Sequence, residues 1–211
     1  MYKLPKYITA DFEEVYEFMQ AHPFITLTCN GAEGFPLVTH VPVLFEKKAG
    51  KIFLLCHVMR DTDHAAALVE SKKAVCIFSG AHSYVSASWY EKKNVGSTWN
   101  YKAVHATGIL RILNKDELFS QLKKLTAKYE TSRSGESLIE NMEKEYVEKM
   151  MLAIVGFEIE IVSIPHVFKL SQEKSEKDYK NIQKHLMELG NDAAVVANYM
   201  EHAKAGVDVK K

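Results

Sequence analysis

The stretch Phe24-Ile25-Thr26-Leu27-Thr28-Cys29-Asn30-Gly31-Ala32-Glu33-Gly34-Phe35-Pro36-Leu37-Val38-Thr39-His40 decides the reading of the fold. Apolar residues alternate with polar ones on both sides of an Asn-Gly-Ala-Glu-Gly turn, the pattern of two antiparallel strands joined in a hairpin. The second run continues from Leu37 to Glu46. After a further turn at Lys47-Lys48-Ala49-Gly50, a third run follows over residues 51–57. Three antiparallel strands are expected to open the sheet.

Upstream of the hairpin, residues 11–22 carry a helix pattern. Asp11 stands at a capping position, Glu14 completes the capping-box spacing, and Phe12, Val15, Tyr16 and Met19 share one face before Pro23 stops the helix. Downstream, residues 63–69 read as a short helix, residues 74–78 and 83–88 as strands, and residues 104–113 as a long strand. Asn114 and Glu117 signal the cap of a helix that runs to about Lys128 and places Leu118, Phe119, Leu122 and Leu125 on one face. The charged segment 130–151 ends in a Met-rich helical stretch and reads as a lid or dimer arm. Alternation returns in Phe157-Glu158-Ile159-Glu160-Ile161, expected to be a half-exposed final strand with one acidic face. Pro165 breaks the ladder, and residues 175–189 form a terminal helix closed by Gly190. The class is mainly β (α+β), with one domain over residues 1–190 and a helical or disordered tail over 191–211.

Composition bounds the function. Lys+Arg and Asp+Glu both number 27 in a chain of 211 residues, so no global field favours nucleic acid or an anionic membrane. Hydrophobic residues make up 47% and charged residues 26%, enough for a packed core and far from a disordered composition. The start Met1-Tyr2-Lys3-Leu4-Pro5 lacks a signal-peptide core, and no window is apolar enough to span a bilayer. A cytoplasmic protein with no membrane partner is expected. Cys29, Cys56 and Cys76 lie in apolar strand-like runs, and their odd number reads as buried free thiols.

Polar and aromatic residues collect at strand ends: Thr39-His40-Val41-Pro42, His57-Val58-Met59-Arg60, Ser86-Ala87-Ser88-Trp89-Tyr90, Thr98-Trp99-Asn100-Tyr101-Lys102-Ala103-Val104-His105 and Lys169-Leu170-Ser171-Gln172. In this order, these motifs resemble the PaiB family of FMN-binding negative transcriptional regulators, related to the pyridoxamine-phosphate oxidase-like split barrels. The resemblance implies an antiparallel split β-barrel of the FMN-binding type with flanking and C-terminal helices. It also implies a homodimer whose interface carries the FMN groove.

A flavin phosphate needs several donors together, and Arg60 with Thr62 at the start of the helix over 63–69 offers a fork beside a helix N-terminus. Thr39, His40, Val41 and His57 are placed toward the ribityl chain and flavin ring. Ser88, Trp89 and Trp99 line the site, the tryptophans as stacking faces, and Lys169, Ser171 and Gln172 close it from the last strand. Each of these residues also has a purely structural reading, as surface arginine, core aromatic or interface anchor.

His40, His57, His82 and His105 lie on separate strands without zinc-ligand spacing, so no metal centre is expected. A single histidine suffices for haem, which stays as an alternative cofactor. Acidic pairs such as Glu13-Glu14 and Asp61/Asp63 sit at helix starts and read as caps. Three functions follow: an FMN-binding, redox-responsive regulator; an FMN-dependent oxidoreductase acting on a small substrate; or a haem-binding or cofactor-free interaction module. The last is motivated by Ala87, Gly96 and Glu173-Lys174, where the chain departs from the family pattern. Binding to DNA rests on the resemblance, since the terminal helix interleaves its lysines with acidic residues.

Overall fold

The hairpin at residues 24–40 is present in the computed structural model of the protein, which describes residues 2, 4–9, 11–130 and 137–205. In chain order the elements are helix α1 (Phe12–Ala21), strands β1 (Phe24–Asn30), β2 (Pro36–Pro42), β3 (Leu44–Lys48) and β4 (Lys51–Met59), helix α2 (Asp63–Ser71), and strands β5 (Lys73–Val85) and β6 (Thr98–Ile112). Helices α3 (Lys115–Glu130) and α4 (Lys144–Leu152), strands β7 (Ile154–Ser163) and β8 (His166–Lys169), and helices α5 (Glu176–Leu189) and α6 (Asn191–Ala205) complete the series. Short 3-10 turns occupy Pro5–Tyr7, Ala87–Trp89 and Ile139–Asn141. The strands form an open antiparallel sheet in the order β2-β1-β5-β6-β7-β4-β3, with β8 paired to β6 off this path. The chain divides into two compact units. The first comprises Met1–Met19, Ser79–Val104 and Pro165–Lys211, the second Gln20–Phe78 and His105–Ile164, and β5 and β6 run through both.

In the second unit, β1 and β2 pair from Phe24↔Pro42 to Asn30↔Pro36. The turn between them is closed by Gly31 N–H donating to Phe35 O at 2.9 Å, and Gly34 takes the left-handed φ of 83° that the turn requires. The strand expected over 37–46 is in fact two. Pro42 has no N–H to extend the ladder, and the N–H of Val43 turns to Pro23 O at 2.8 Å. The chain then crosses to the far end of the sheet, where β3 pairs with β4 from Leu44↔Leu55 to Lys48↔Lys51. The opening strands are therefore two hairpins at opposite ends of one sheet, not a three-stranded meander. The strands expected at 74–78 and 83–88 are one continuous β5, and the expected strand at 104–113 begins earlier, at Thr98.

Strand β7 is neither final nor half-exposed. It is bonded to β4 along one edge and to β6 along the other, and Glu158 on its acidic face is 7% exposed. Lys48 at the end of β3 and Arg111 of the adjoining β6 meet that carboxylate at 2.7 Å each, so a buried charge is matched from both sides of β7. At α3 the expected cap is reciprocal: Asn114 Oδ1 accepts from Glu117 N–H at 3.0 Å, and Glu117 Oε2 accepts from Asn114 N–H at 2.9 Å. The buried stripe of α3 is Leu118 and Gln121, whereas Phe119 is exposed.

The segment read as a lid or arm is packed where it is described. Ile139, Val147 and Met151 join Leu113, Leu118 and Ile154 in one apolar cluster; residues 131–136 lie outside the described residues. Cys29, Cys56 and Cys76 are buried free thiols.

In the first unit Asp11 Oδ1 accepts from Glu13 N–H at 3.0 Å and from Glu14 N–H at 3.4 Å, so the cap of α1 is as expected. Glu14 does not close the capping box; its carboxylate pairs at 2.9 Å with Lys102 of β6, a lysine only 7% exposed. The same amine lies over the rings of Phe168, 4.3 Å from the centroid, and Tyr199 at 5.2 Å. Helices α5 and α6 bury Tyr179, Ile182, Leu186, Val196, Ala197 and Met200 in one cluster, so the chain from 191 to 205 is a packed helix. Residues 206–211 of the expected tail lie outside the described residues.

Strand β6 has a register shift between Thr107 and Gly108, where β7 comes closest. A Cβ at Gly108 would stand 2.5 Å from Ile159 Cγ2 and 2.8 Å from Glu160 O. Gly108→Ala should therefore cost about 1–3 kcal/mol of unfolding free energy by overpacking, read as a lowered urea midpoint. An unchanged midpoint would show that the ladder yields at this point.

Candidate functional site

The residues singled out in the sequence fall six to each unit. In the second unit, Thr39 and Val41 of β2 are half-buried and buried, and His40 is exposed with its ring stacked on Phe24 at a centroid distance of 6.2 Å. His57 of β4 lies opposite Gly156 of β7; burial holds its imidazole below the ordinary histidine pKa, so it is neutral at pH 7.

Arg60 follows the end of β4 and holds three consecutive carbonyls at the junction of α4 and β7. Its Nε donates to Leu152 O at 2.8 Å, its backbone N–H to Ala153 O at 2.9 Å and its Nη2 to Ile154 O at 2.7 Å. A guanidinium suits the end of a helix, where unpaired carbonyls carry partial negative charge. Thr62 caps α2: its Oγ1 accepts from Ala65 N–H at 3.1 Å and donates to Met59 O at 3.0 Å. Asp63 Oδ1 accepts from His64 N–H at 2.8 Å. The fork and the first turn read as phosphate donors thus carry structural bonds of their own.

One residue of this turn went unnoticed in the sequence. His64 is 5% exposed, and neither of its ring nitrogens has a hydrogen-bond partner among the described residues. Stepping back four residues from the buried Leu68 along the helix leads to it, so helical period was the available signal. A buried imidazole without partners is costly unless a polar group completes it. The turn from Arg60 to His64 therefore fits a cofactor rich in hydrogen-bonding groups.

In the first unit, Ser88 and Trp89 lie in the 3-10 turn at Ala87–Trp89. Ser88 Oγ bonds Ser86 Oγ at 2.8 Å. Trp89 is stacked by His185 of α5 at a centroid distance of 4.9 Å and 22°, and its carbonyl accepts from Asn181 Nδ2. Trp99 is 52% exposed and gathers His82 at 5.9 Å and Tyr84 at 5.8 Å, so the two tryptophans belong to separate clusters.

At the end of β8, Lys169 Nζ donates to Thr98 Oγ1. Ser171, with a left-handed φ of 61°, bonds Asn100 Oδ1 at 2.9 Å through its Oγ. Gln172 folds back, accepting from Leu170 N–H at 2.8 Å and donating to Phe168 O. Ser171 and Gln172 thus fix the turn that presents Lys169.

An open antiparallel sheet of eight strands with flanking helices is the architecture of the split-barrel proteins. The chain belongs to the family described as "Putative FMN-binding domain", whose model matches residues 1–163. It is 34% identical over 200 residues to the protease synthase and sporulation protein PAI 2 of Bacillus subtilis, covering 94% of this chain and 96% of that protein. Among solved structures, it resembles the FAD and heme binding protein of Mycobacterium smegmatis, with a TM-score of 0.59 and 15% identity over 82% of this chain and 78% of that one. The conserved hypothetical protein Rv2991 of Mycobacterium tuberculosis gives a TM-score of 0.53 at 15% identity, covering 80% and 90%. The two structural likenesses are likenesses of fold. No helix among the described residues is long and apolar enough to cross a membrane.

Arg60→Ala and Arg60→Lys should both lower the unfolding free energy by about 1–2 kcal/mol, because an ammonium cannot reproduce the two-pronged hold on Leu152 and Ile154 at an exposed site. Chemical denaturation reads the difference. A Lys variant as stable as the wild type would show that the fork is idle.

Proposed function

We propose that this protein holds FMN as a homodimer and uses its redox state to regulate, in the manner of the PaiB-type regulators it resembles. One observation carries the reading: the FMN-binding family match over residues 1–163 includes every element that presents Thr39, His40, Val41, His57, Arg60, Thr62, Ser88, Trp89 and Trp99. The β4–α2 turn serves the phosphate end through Thr62, His64 and the Nη1 of Arg60 that is left beside its two carbonyl bonds. Thr39, His40 and His57 serve the polar edge of the ring system. When bound, FMN supplies hydride or single-electron transfer, and the residues around it supply position and electrostatics.

The dimer reading is supported by the outer face of the sheet in the second unit. Val38, Phe24, Ile109 and Val162 are each more than half exposed there, and a groove of about 390 Å³ runs past Thr28, Val75, Thr107 and Ile109. Exposed apolar area of this kind marks an interaction surface. Regulation rather than turnover is supported by His57, which burial holds neutral. On α5, Lys177 and Lys180 pair with Glu91 and Glu176, which leaves little free positive charge for DNA. DNA contact then depends on the state of the dimer.

A haem reading is favoured by the half-buried, neutral His57, which suits an axial ligand, and by the fold likeness to a protein named for FAD and heme binding. A Soret band in the purified protein would favour haem over flavin.

The test uses FMN-loaded protein after size-exclusion chromatography, where it should elute as a dimer. Mixed anaerobically with NADH it should reduce no faster than free FMN, and a fragment of its own promoter should be retarded on a gel in one redox state only. Repeated NADH turnover without a redox-dependent DNA complex would favour the oxidoreductase instead.

A further inference from the structure

At the end of β8 the first unit gathers more positive charge than it neutralises. Lys169 is half-buried, bonded to Thr98 Oγ1, and its amine lies 5.7 Å from the centroid of the Tyr2 ring. Lys6 and Lys174 both act on that amine, and Glu173 is the one carboxylate among the groups that act on it. Among the described residues, three cations face one anion around the Lys169 amine, and Asp178 adds a second carboxylate on the Tyr90 side. Glu173 is itself engaged by the hydroxyl of Tyr7, a phenol whose pKa burial, with Glu173 beside it, pushes up to about 12.

The second observation comes from the other side of the cluster. Lys174 Nζ lies over the ring of Tyr90, 4.4 Å from the centroid, and the Tyr90 hydroxyl has no hydrogen-bond partner among the described residues although the side chain is 3% exposed. A buried hydroxyl without a partner and three crowded amines lack the same thing, an acceptor with negative charge. Burial holds the Lys169 amine below the ordinary lysine pKa; Glu173 opposes this, and Lys174 and Lys6 add to it.

The presentation of Lys169 is also built rather than incidental. Ser171 holds a left-handed backbone that is strained for a non-glycine residue, and its hydroxyl is tied to Asn100, a side chain with no exposed surface. Gln172 clamps the same turn at Phe168 and Leu170. These bonds hold a lysine where it is partly dehydrated and repelled by Lys174 and Lys6.

We propose that Lys169, Thr98, Lys6 and Lys174 form a binding site for a phosphomonoester dianion. Its negative charge answers the excess of amines around Lys169, and three acceptor oxygens can take the amines and the Thr98 hydroxyl together. The site is distinct from the β4–α2 turn and does not rest on the flavin reading. Its phosphate comes either from FMN itself or from a second phosphorylated ligand.

Calorimetric titration of the full chain with inorganic phosphate at low salt tests it. The wild type should bind, Lys169→Met should bind at least about tenfold more weakly, and Lys169→Arg, which keeps the charge, should restore most of the affinity. Lys184→Met, on the exposed face of α5, should leave binding unchanged. Parallel titrations with FMN and riboflavin identify the source: an FMN affinity that falls in Lys169→Met while riboflavin is unaffected assigns the site to the flavin phosphate. Unchanged FMN affinity with lost phosphate binding assigns it to a second ligand. Failure of the wild type to bind FMN would sink the flavin reading and leave the phosphate result standing. The proposal is overturned if folded wild type does not bind millimolar phosphate, or if Lys169→Met binds it equally well.

Discussion

Strand β7 is hydrogen-bonded along both edges, to β4 from Phe53↔Glu160 to Met59↔Ile154 and to β6 from Thr107↔Ser163 to Ile112↔Phe157. The second unit is arranged around that double ladder. It removes both backbone edges of β7 from water, so the side chains between them must be apolar or matched. Phe157 and Ile159 are fully buried, and Glu158 persists because Arg111 reaches it from β6 and Lys48 from β3, one strand beyond β4. The ladder also brings the start of β7 beside the end of β4, where Arg60 takes the carbonyls of Leu152, Ala153 and Ile154. The β4–α2 turn is thereby pinned to a junction some ninety residues away in sequence. A turn held so firmly can place Thr62 and His64 for a ligand without depending on the ligand for its own order.

In the first unit the corresponding constraint is Lys102. Its amine is almost wholly buried, paired with Glu14 of α1 and lying over Phe168 of β8 and Tyr199 of α6. One cation thus ties four elements, and replacing either partner would strand a charge in an apolar setting. The same strand carries Thr98 and Asn100, which hold Lys169 and Ser171, so β6 serves packing and the basic cluster at once.

The hairpin at β1–β2 was legible because alternation and a glycine-bearing turn are local, and the α3 cap because Asn114 and Glu117 are only three residues apart. What was not legible depends on distant partners. The break after Pro42 is completed by the carbonyl of Pro23, and the joining of two expected strands into β5 passes through Gly80, where a Cβ would come within 2.8 Å of the Phe18 ring. The acidic alternation of β7 read as solvent-facing because the countercharges of Glu158 come from residues 48 and 111. The family was legible from ordered motifs. The roles within the site were less so, since residue type marked Arg60, Trp89, Ser171 and Gln172 as ligand contacts, and only coordinates reveal the bonds that each already makes. His64, an ordinary-looking residue in a helix start, stands out only once its burial and its unpaired nitrogens are known.

The central claim is that this fold holds FMN, with the β4–α2 turn as part of the site. Titrating the purified protein into FMN and following flavin fluorescence tests it most directly, in the wild type and in His64→Leu, which keeps the volume and removes the polar nitrogens. Saturable quenching at micromolar protein, approaching one FMN per chain and weakened at least about tenfold in His64→Leu, is the predicted result. No quenching by folded wild-type protein at tens of micromolar would contradict the account.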